Sequence, residues 1–240
     1  YAREYDAAIS PNGNIPVHAF NLISPTFFAN SSTGNKYSLW VNVYGVSERY
    51  LNVYGEKDLR AQMNQFFHRT YTHPVDGTTL DMKMLCNWYW YDETAILETG
   101  KGTKDWNFYR YAETLLSAAE AIAQSSGVNA EAAGYLAQVK ARANMEGKDV
   151  STIASELQRL GKQAFIEECW KERLREFPLE MKIWDDCVRT GKFPQISATN
   201  KGEVQFVDLI GAKNGSGATF KATDLYWPIP VNEIQRNPNL

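Results

Sequence analysis

Histidines, cysteines and clustered carboxylates are where chemistry would begin in a chain of unknown role. His18, His68 and His73 are the only histidines, and the last two are five positions apart with Pro74 following, which keeps them off a common helical face. That spacing does not make a metal ligand set, and no metal site is assigned. Cys86, Cys169 and Cys187 form no Cys-x-x-Cys knuckle. Gly-x-Ser-x-Gly, Gly-x-x-x-x-Gly-Lys and His-Glu-x-x-His are all absent, so no catalytic residue and no cofactor is assigned. The remaining candidates are acids. Glu167, Glu168, Glu172, Glu176 and Glu180 crowd one block, and glycoside hydrolysis needs only two carboxylates at suitable separation. Lys171, Arg173, Arg175 and Lys182 are interleaved with them at helical spacing. Pairs so placed stabilise a helix by about 0.2–0.5 kcal/mol each, and a structural ion-pair network is expected in place of an acid/base pair.

Aromatic residues give the one signal that points to a ligand. A sugar has an apolar C–H face and a polar rim, so its site wants a flat ring to stack on and amides or acids nearby. Tyr37, Trp40, Asn42 and Tyr44 supply that mixture within eight positions, and Asn87, Trp88 and Trp90 supply it again in Asn87-Trp88-Tyr89-Trp90-Tyr91-Asp92. In a strand, alternate residues face opposite ways, so one of the pairs Trp88/Trp90 and Tyr89/Tyr91 is expected in the core. The expected stacking residues are Tyr37, Trp40, Tyr44, Trp88 and Trp90, with Asn42 and Asn87 as polar contacts.

The elements that must position these residues fall in two regions. Ten of the 13 tyrosines and four of the seven tryptophans lie in residues 1–109, among turn signals such as Ser10-Pro11-Asn12-Gly13, His73-Pro74 and Asp76-Gly77. Residues 1–104 are therefore read as loop-rich, with residues 82–91 as a strand and residues 63–71 as its hairpin partner. From residue 105 the spacing is helical. Tyr111, Leu115, Ala118 and Ile122 make one stripe, and Ala112, Leu116, Ala119 and Ala123 a second beside it, which predicts burial against more than one neighbour. Gly127 stops that helix, and Asn129 caps the next, with Leu136, Val139 and Ala143 on one face. A third block carries Ile153, Leu157, Leu160 and Ala164, and continues through Ile166, Trp170 and Leu174 until Pro178 ends it. A short helix around residues 184–188, a strand near residues 204–210 and a stiff extended Leu225-Tyr226-Trp227-Pro228-Ile229-Pro230 complete the chain.

The 240 residues carry 25 Lys+Arg against 28 Asp+Glu, a net charge of −3, with 44% hydrophobic positions. A mildly acidic chain with no basic run gives no electrostatic footprint for nucleic acid. No stretch reaches the roughly 20 apolar residues that span a bilayer, and Tyr1-Ala2-Arg3-Glu4-Tyr5 is no signal peptide, so the chain is expected to start as a mature product or in mid-protein.

Three stretches in order resemble one family. Arg110-Tyr111-Ala112-Glu113-Thr114-Leu115-Leu116-Ser117-Ala118-Ala119-Glu120-Ala121 is similar to the Arg-Tyr-Ala-Glu-x-Leu-Leu-x-x-Ala-Glu-Ala helix of SusD/RagB-type outer-membrane proteins. Trp170-Lys171-Glu172-Arg173-Leu174-Arg175-Glu176, then Glu180, Trp184, Asp186 and Arg189-Thr190-Gly191-Lys192, resembles that family's Glu-Arg-x-x-Glu helix and its continuation. The closing Trp227-Pro228-Ile229-Pro230 to Leu240 looks like its Pro-Ile-Pro-x-x-Glu-Ile-x-x-Asn-Pro-x-Leu end, and Tyr50-Leu51-Asn52-Val53-Tyr54 through Asp58-Leu59-Arg60 resembles a passage ahead of the helices. Ile183 and Pro178 depart from the family pattern. The resemblance covers about residues 40–240 and implies a mainly α, SusD-like architecture of helical hairpins with irregular loops and a few short strands. It makes residues 105–240 the helical C-terminal region of one compact unit, a fragment of a longer chain. It also implies a non-catalytic, cell-surface outer-membrane lipoprotein that captures oligosaccharide for a SusC-like TonB-dependent transporter, touching the membrane only through a lipid anchor missing from this chain. Arg110, Glu113, Glu120, Glu172, Arg173 and Asp186 become structural ion pairs and caps under that resemblance. A helical scaffold binding only protein is the alternative, and a glycoside hydrolase a more distant one.

Overall fold

The computed structural model describes residues 2–3, 46–72, 77–89, 91–93 and 104–237. Their contacts form two compact units: Tyr1–Glu180 with Ile196–Val204, and Met181–Gln195 with Gln205–Leu240. Residues 105–180 thus belong to the first unit.

Four short strands open the chain: β1 (Ala2–Arg3), β2 (Phe67–Thr72), β3 (Thr79–Asn87) and β4 (Trp106–Asn107), with β1 antiparallel to β4 and β2 to β3. Helices then dominate, as the sequence predicts. α1 (Tyr111–Ser126) ends where Gly127 adopts φ 82°, and α2 (Ala130–Ala141) starts where the Asn129 side chain accepts from the Ala132 N–H at 2.9 Å. α3 (Val150–Leu157) is capped in the same way, Asp149 accepting from the Thr152 N–H at 2.7 Å. The third predicted block is two helices and not one. Gly161 is extended and separates α3 from α4 (Lys162–Glu176), so Leu160 falls in the connection and is exposed.

α1 packs on both α2 and α4, and α2 on α3. Leu116, Ala119, Ala123, Ala132, Ala133, Leu136, Ala137, Phe165 and Cys169 are fully buried at these contacts. Alanine at five of the nine lets the helices approach closely, and each larger side chain removed from water contributes about 1.5–3 kcal/mol. The two stripes of α1 differ from expectation at one end: Tyr111 is 73% exposed.

α4 stops in the interior, where orphan carbonyls are costly. Each of its last four is satisfied. The Arg173 oxygen accepts from the Phe177 N–H at 3.0 Å, Leu174 from the Tyr50 hydroxyl at 2.5 Å, Arg175 from the Tyr54 hydroxyl at 3.0 Å, and Glu176 from Arg110 Nη2 at 3.0 Å. The 3-10 helix Glu48–Val53 and its C-cap Tyr54 thus close the end that Pro178 terminates.

The second unit contains α5 (Ile183–Thr190), closed by Gly191 at φ 65°, and α6 (Val231–Arg236). Strand β6 (Val204–Asp208) falls within the predicted one, and it pairs with β5 (Lys192–Ile196), which carries Pro194 and is not among the strands the sequence predicts. A two-stranded ribbon has only edges, so a residue without an N–H is tolerated there. Trp184, Phe193 and Phe220 cluster, with ring centroids 5.8 and 5.2 Å from Phe220. Among the described residues no helix is long and apolar enough to cross a membrane.

Candidate functional site

The glutamates of α4 are ion-paired, but their partners come mostly from elsewhere in the first unit and not from the same helix. Glu172 is fully buried and meets Arg60 at 2.8 Å and Arg175 at 3.2 Å, with Lys140 at 3.9 Å. Glu168 meets Arg175 at 2.9 Å and also pairs with Lys140. Glu180 meets Arg110 at 2.8 Å, and Arg173 reaches back to Glu113 at 3.1 Å. Glu172–Arg175 is an i,i+3 pair of the expected kind. Sequence spacing could not show this, because Arg60, Arg110, Lys140 and Arg142 arrive through the fold.

Burial alone would push these carboxyls up. Around Glu172 the charges of Arg60, Lys140 and Arg175 outweigh it, and the group stays below the usual carboxylate range. Burial of Glu168 is likewise outweighed by Lys140 and Arg175, leaving it at about 2. Carboxylates so matched are poor proton donors, and Glu168, Glu172, Glu176 and Glu180 each have a cationic partner.

Beside this network lies a cleft of about 290 Å³ lined by Leu59, Gln65, Phe66, Val139, Arg142 and Glu176, together with Arg60 and Ala143. Local pairing builds it. The Leu59 N–H donates to the Ala143 oxygen at 2.8 Å and the Met145 N–H to the Lys57 oxygen at 3.0 Å, which sets the 3-10 helix Leu59–Ala61 against the end of α2. Asn64 turns the chain at φ 63°, its N–H donating to the Phe67 oxygen at 2.9 Å, and the turn carries Gln65 and Phe66. Leu59, Phe66 and Val139 give the cleft an apolar wall, while Gln65, Arg142 and Glu176 give it polar groups. A second cavity of about 310 Å³ shares Arg60 but has no aromatic residue. Its Lys148 bridges Glu146 and Glu156, both at 2.9 Å.

The aromatic pair Phe66 and Trp88 joins the cleft to the β2–β3 hairpin, the Trp88 N–H donating to the Phe66 oxygen at 2.7 Å. Phe67 pairs with Asn87 and His68 with Cys86, and Trp88 follows directly on the end of β3. His68 stacks on Trp88 at 3.9 Å and Tyr91 stacks on it at 5.0 Å, each inclined by 13°. Burial lowers the His68 pKa, so its ring is neutral in the stack at pH 7.

Of the residues predicted to bind sugar, Trp88 is half-buried in this stack. Asn87 is 2% exposed, and its amide is engaged internally, the side-chain oxygen accepting from the Tyr89 N–H at 2.7 Å and Nδ2 donating to the Pro178 oxygen at 3.5 Å. It shapes the turn and is not presented to a ligand. That same turn ends β3 at Asn87, so the strand stops short of residue 91 and alternation does not sort Trp88 to Tyr91 into core and surface: Trp88, Tyr89 and Tyr91 are all half-buried. Tyr37, Trp40, Asn42, Tyr44 and Trp90 lie outside the described residues. The sequence reading missed Phe66, Gln65 and Arg142. Asn64, a residue tolerant of positive φ ahead of Phe66-Phe67, was the available signal for the turn.

Helical hairpins packed through alanine, with a buried ion-pair network behind an amphipathic cleft, make up the first unit. The model of the SusD family matches residues 30–240, and the chain belongs to that family. Its fold is similar to a SusD superfamily protein from Parabacteroides distasonis ATCC 8503, at 26% identity and a TM-score of 0.79. All of this chain is covered and 48% of that one. A SusD superfamily protein from Bacteroides fragilis NCTC 9343 shares the fold at 19% identity and a TM-score of 0.57, with 99% and 49% covered. The chain therefore spans about half the length of these solved relatives. No curated protein matches it.

Proposed function

We propose that this chain belongs to a non-catalytic outer-membrane lipoprotein that captures oligosaccharide at the cell surface and hands it to a SusC-like TonB-dependent transporter. Family membership supports the class, and the observation that carries a binding role for this piece is the cleft beside α2. Its apolar wall, Leu59, Phe66 and Val139, suits the C–H face of a sugar, and the groups around it, Gln65, Arg142 and Glu176, suit the hydroxyl rim. Trp88 sits next to it through its backbone bond to Phe66. Tyr37, Trp40, Asn42, Tyr44 and Trp90 stay in the proposed binding set by side-chain type.

The test is affinity electrophoresis through gels containing a panel of polysaccharides, with Phe66→Ala and Trp88→Ala variants. Retardation by at least one glycan that Phe66→Ala abolishes supports capture at the cleft. Unretarded migration with every glycan refutes it and favours a scaffold that binds only protein, while release of reducing sugar would favour the hydrolase.

A further inference from the structure

The charges around Glu176 narrow the kind of sugar this cleft takes. One carboxylate faces three guanidiniums: Arg60 Nη1 at 3.1 Å, Arg110 Nη1 at 3.0 Å and Arg142 Nη2 at 2.8 Å. Arg60 has two further acids, Asp58 at 2.7 Å and Glu172 at 2.8 Å, and Arg110 has Glu180 at 2.8 Å. Among the described residues Arg142 has only the shared Glu176. Its side chain is 57% exposed, against 8% for Arg60 and 20% for Arg110. A guanidinium offers five N–H donors in a planar fork, and Glu176 engages one nitrogen of Arg142. What remains at the edge of the cleft is a half-exposed guanidinium with N–H groups that Glu176 does not engage, held in orientation by that buried acid, beside the apolar surface of Phe66 and Leu59.

We infer that the cleft selects saccharides bearing a carboxylate, the uronic acids, with Arg142 receiving the carboxylate through the N–H groups that Glu176 leaves unused. A planar carboxylate matches the fork in a way that a hydroxyl does not. The sugar ring then lies against Phe66 and Leu59, and the Gln65 amide is within the same lining for a hydroxyl. This inference rests on the glycan-capture reading and specifies its ligand.

The experiment is affinity electrophoresis of the protein in polygalacturonate, alginate and hyaluronan, each native and after chemical reduction of its carboxyls to hydroxymethyl groups, with mobility taken relative to a ligand-free gel. At least one native polymer is expected to bind about tenfold more tightly than its reduced form, the size of one charge-assisted hydrogen bond. Arg142→Gln should erase that preference, so that native and reduced polymers bind alike, and Arg142→Lys should restore only part of it. Phe66→Ala should weaken both forms. Equal binding of native and reduced polymers, or a preference that survives Arg142→Gln, overturns the uronate inference and leaves glycan capture standing. If no polymer binds, acidic or neutral, across this set and the wider panel, both readings fall together.

Discussion

Replacing Glu172 by Gln tests whether the buried ion-pair network holds the first unit together. Glu172 is fully buried and its carboxylate answers Arg60 and Arg175, with Lys140 at longer range. Gln keeps the shape and removes the charge. Breaking a buried pair from one side costs about 3–5 kcal/mol, because the other charge is left without compensation. Here Arg60 retains Asp58 and Glu176, and Arg175 retains Glu168, so the lower end, about 3 kcal/mol, is expected. At roughly 2–4 °C per kcal/mol for a chain of this size, the thermal midpoint should fall by about 6–12 °C. Thermal unfolding followed by far-UV circular dichroism at pH 7 measures it. Glu156→Gln is the control, since the Glu156 and Lys148 side chains are 50% and 35% exposed and such pairs contribute about 0–1 kcal/mol. If Glu172→Gln destabilises no more than the control, the network is ornamental to stability and the account of α4 given above is wrong.

Acid should unfold the protein through the same groups. Glu168 titrates at about 2 in the folded state against an ordinary value of 4.5, and Glu172 is shifted in the same direction, so the stability they contribute is complete above pH 4.5 and is lost as pH falls toward 2. Urea midpoints between pH 7 and pH 2.5 should drop across that window, and a flat or rising profile below pH 5 would contradict it. Tyr54→Phe removes the hydroxyl that donates to the Arg175 oxygen, and should cost about 1–3 kcal/mol by urea unfolding; a neutral substitution would show that water reaches the end of α4. All three thiols are buried, and burial pushes Cys86 up to about 12 and Cys187 up to about 11. A disulfide-exchange reagent at pH 8 should label none of them rapidly in the native protein and all three in denaturant, and rapid stoichiometric labelling of the native protein would refute that burial.

What sequence made legible, and what it did not, follows from the range of the interactions. Leu116, Ala119 and Ala123, or Asn129 ahead of α2, are legible because helix periodicity and capping act over three or four residues. Gly161 was harder: a continuous apolar stripe ran across residues 158–161, where the chain leaves the helix after Leu157 and is extended at Gly161 before α4 begins. The strand ending at Asn87 was misjudged because aromatic residues continue past it, while an amide bonding two residues ahead had already turned the chain. The site was least legible. Arg60 and Glu176 are 116 positions apart and meet at 3.1 Å only after Leu59 has paired with Ala143, a contact that no local pattern announces.

Glu176 stands where the scaffold ends and the cleft begins. It is the last residue of α4, 4% exposed, and it holds Arg60 and Arg110 inside the protein and Arg142 at the edge of the cleft. Arg142 is also the C-cap of α2, where a cation is favoured by the helix dipole, so its charge at that place is stabilised before any ligand arrives. Three guanidiniums around one acid would repel one another if Arg60 and Arg110 were not each matched by a second carboxylate. The matched pairs are largely buried, and Arg142 alone of the three guanidiniums is more than half exposed. A cleft with one oriented, partly exposed cation beside an aromatic side chain is therefore a consequence of how the helix end is neutralised, and the carboxylate recognition proposed for it needs no element beyond those that fold the unit.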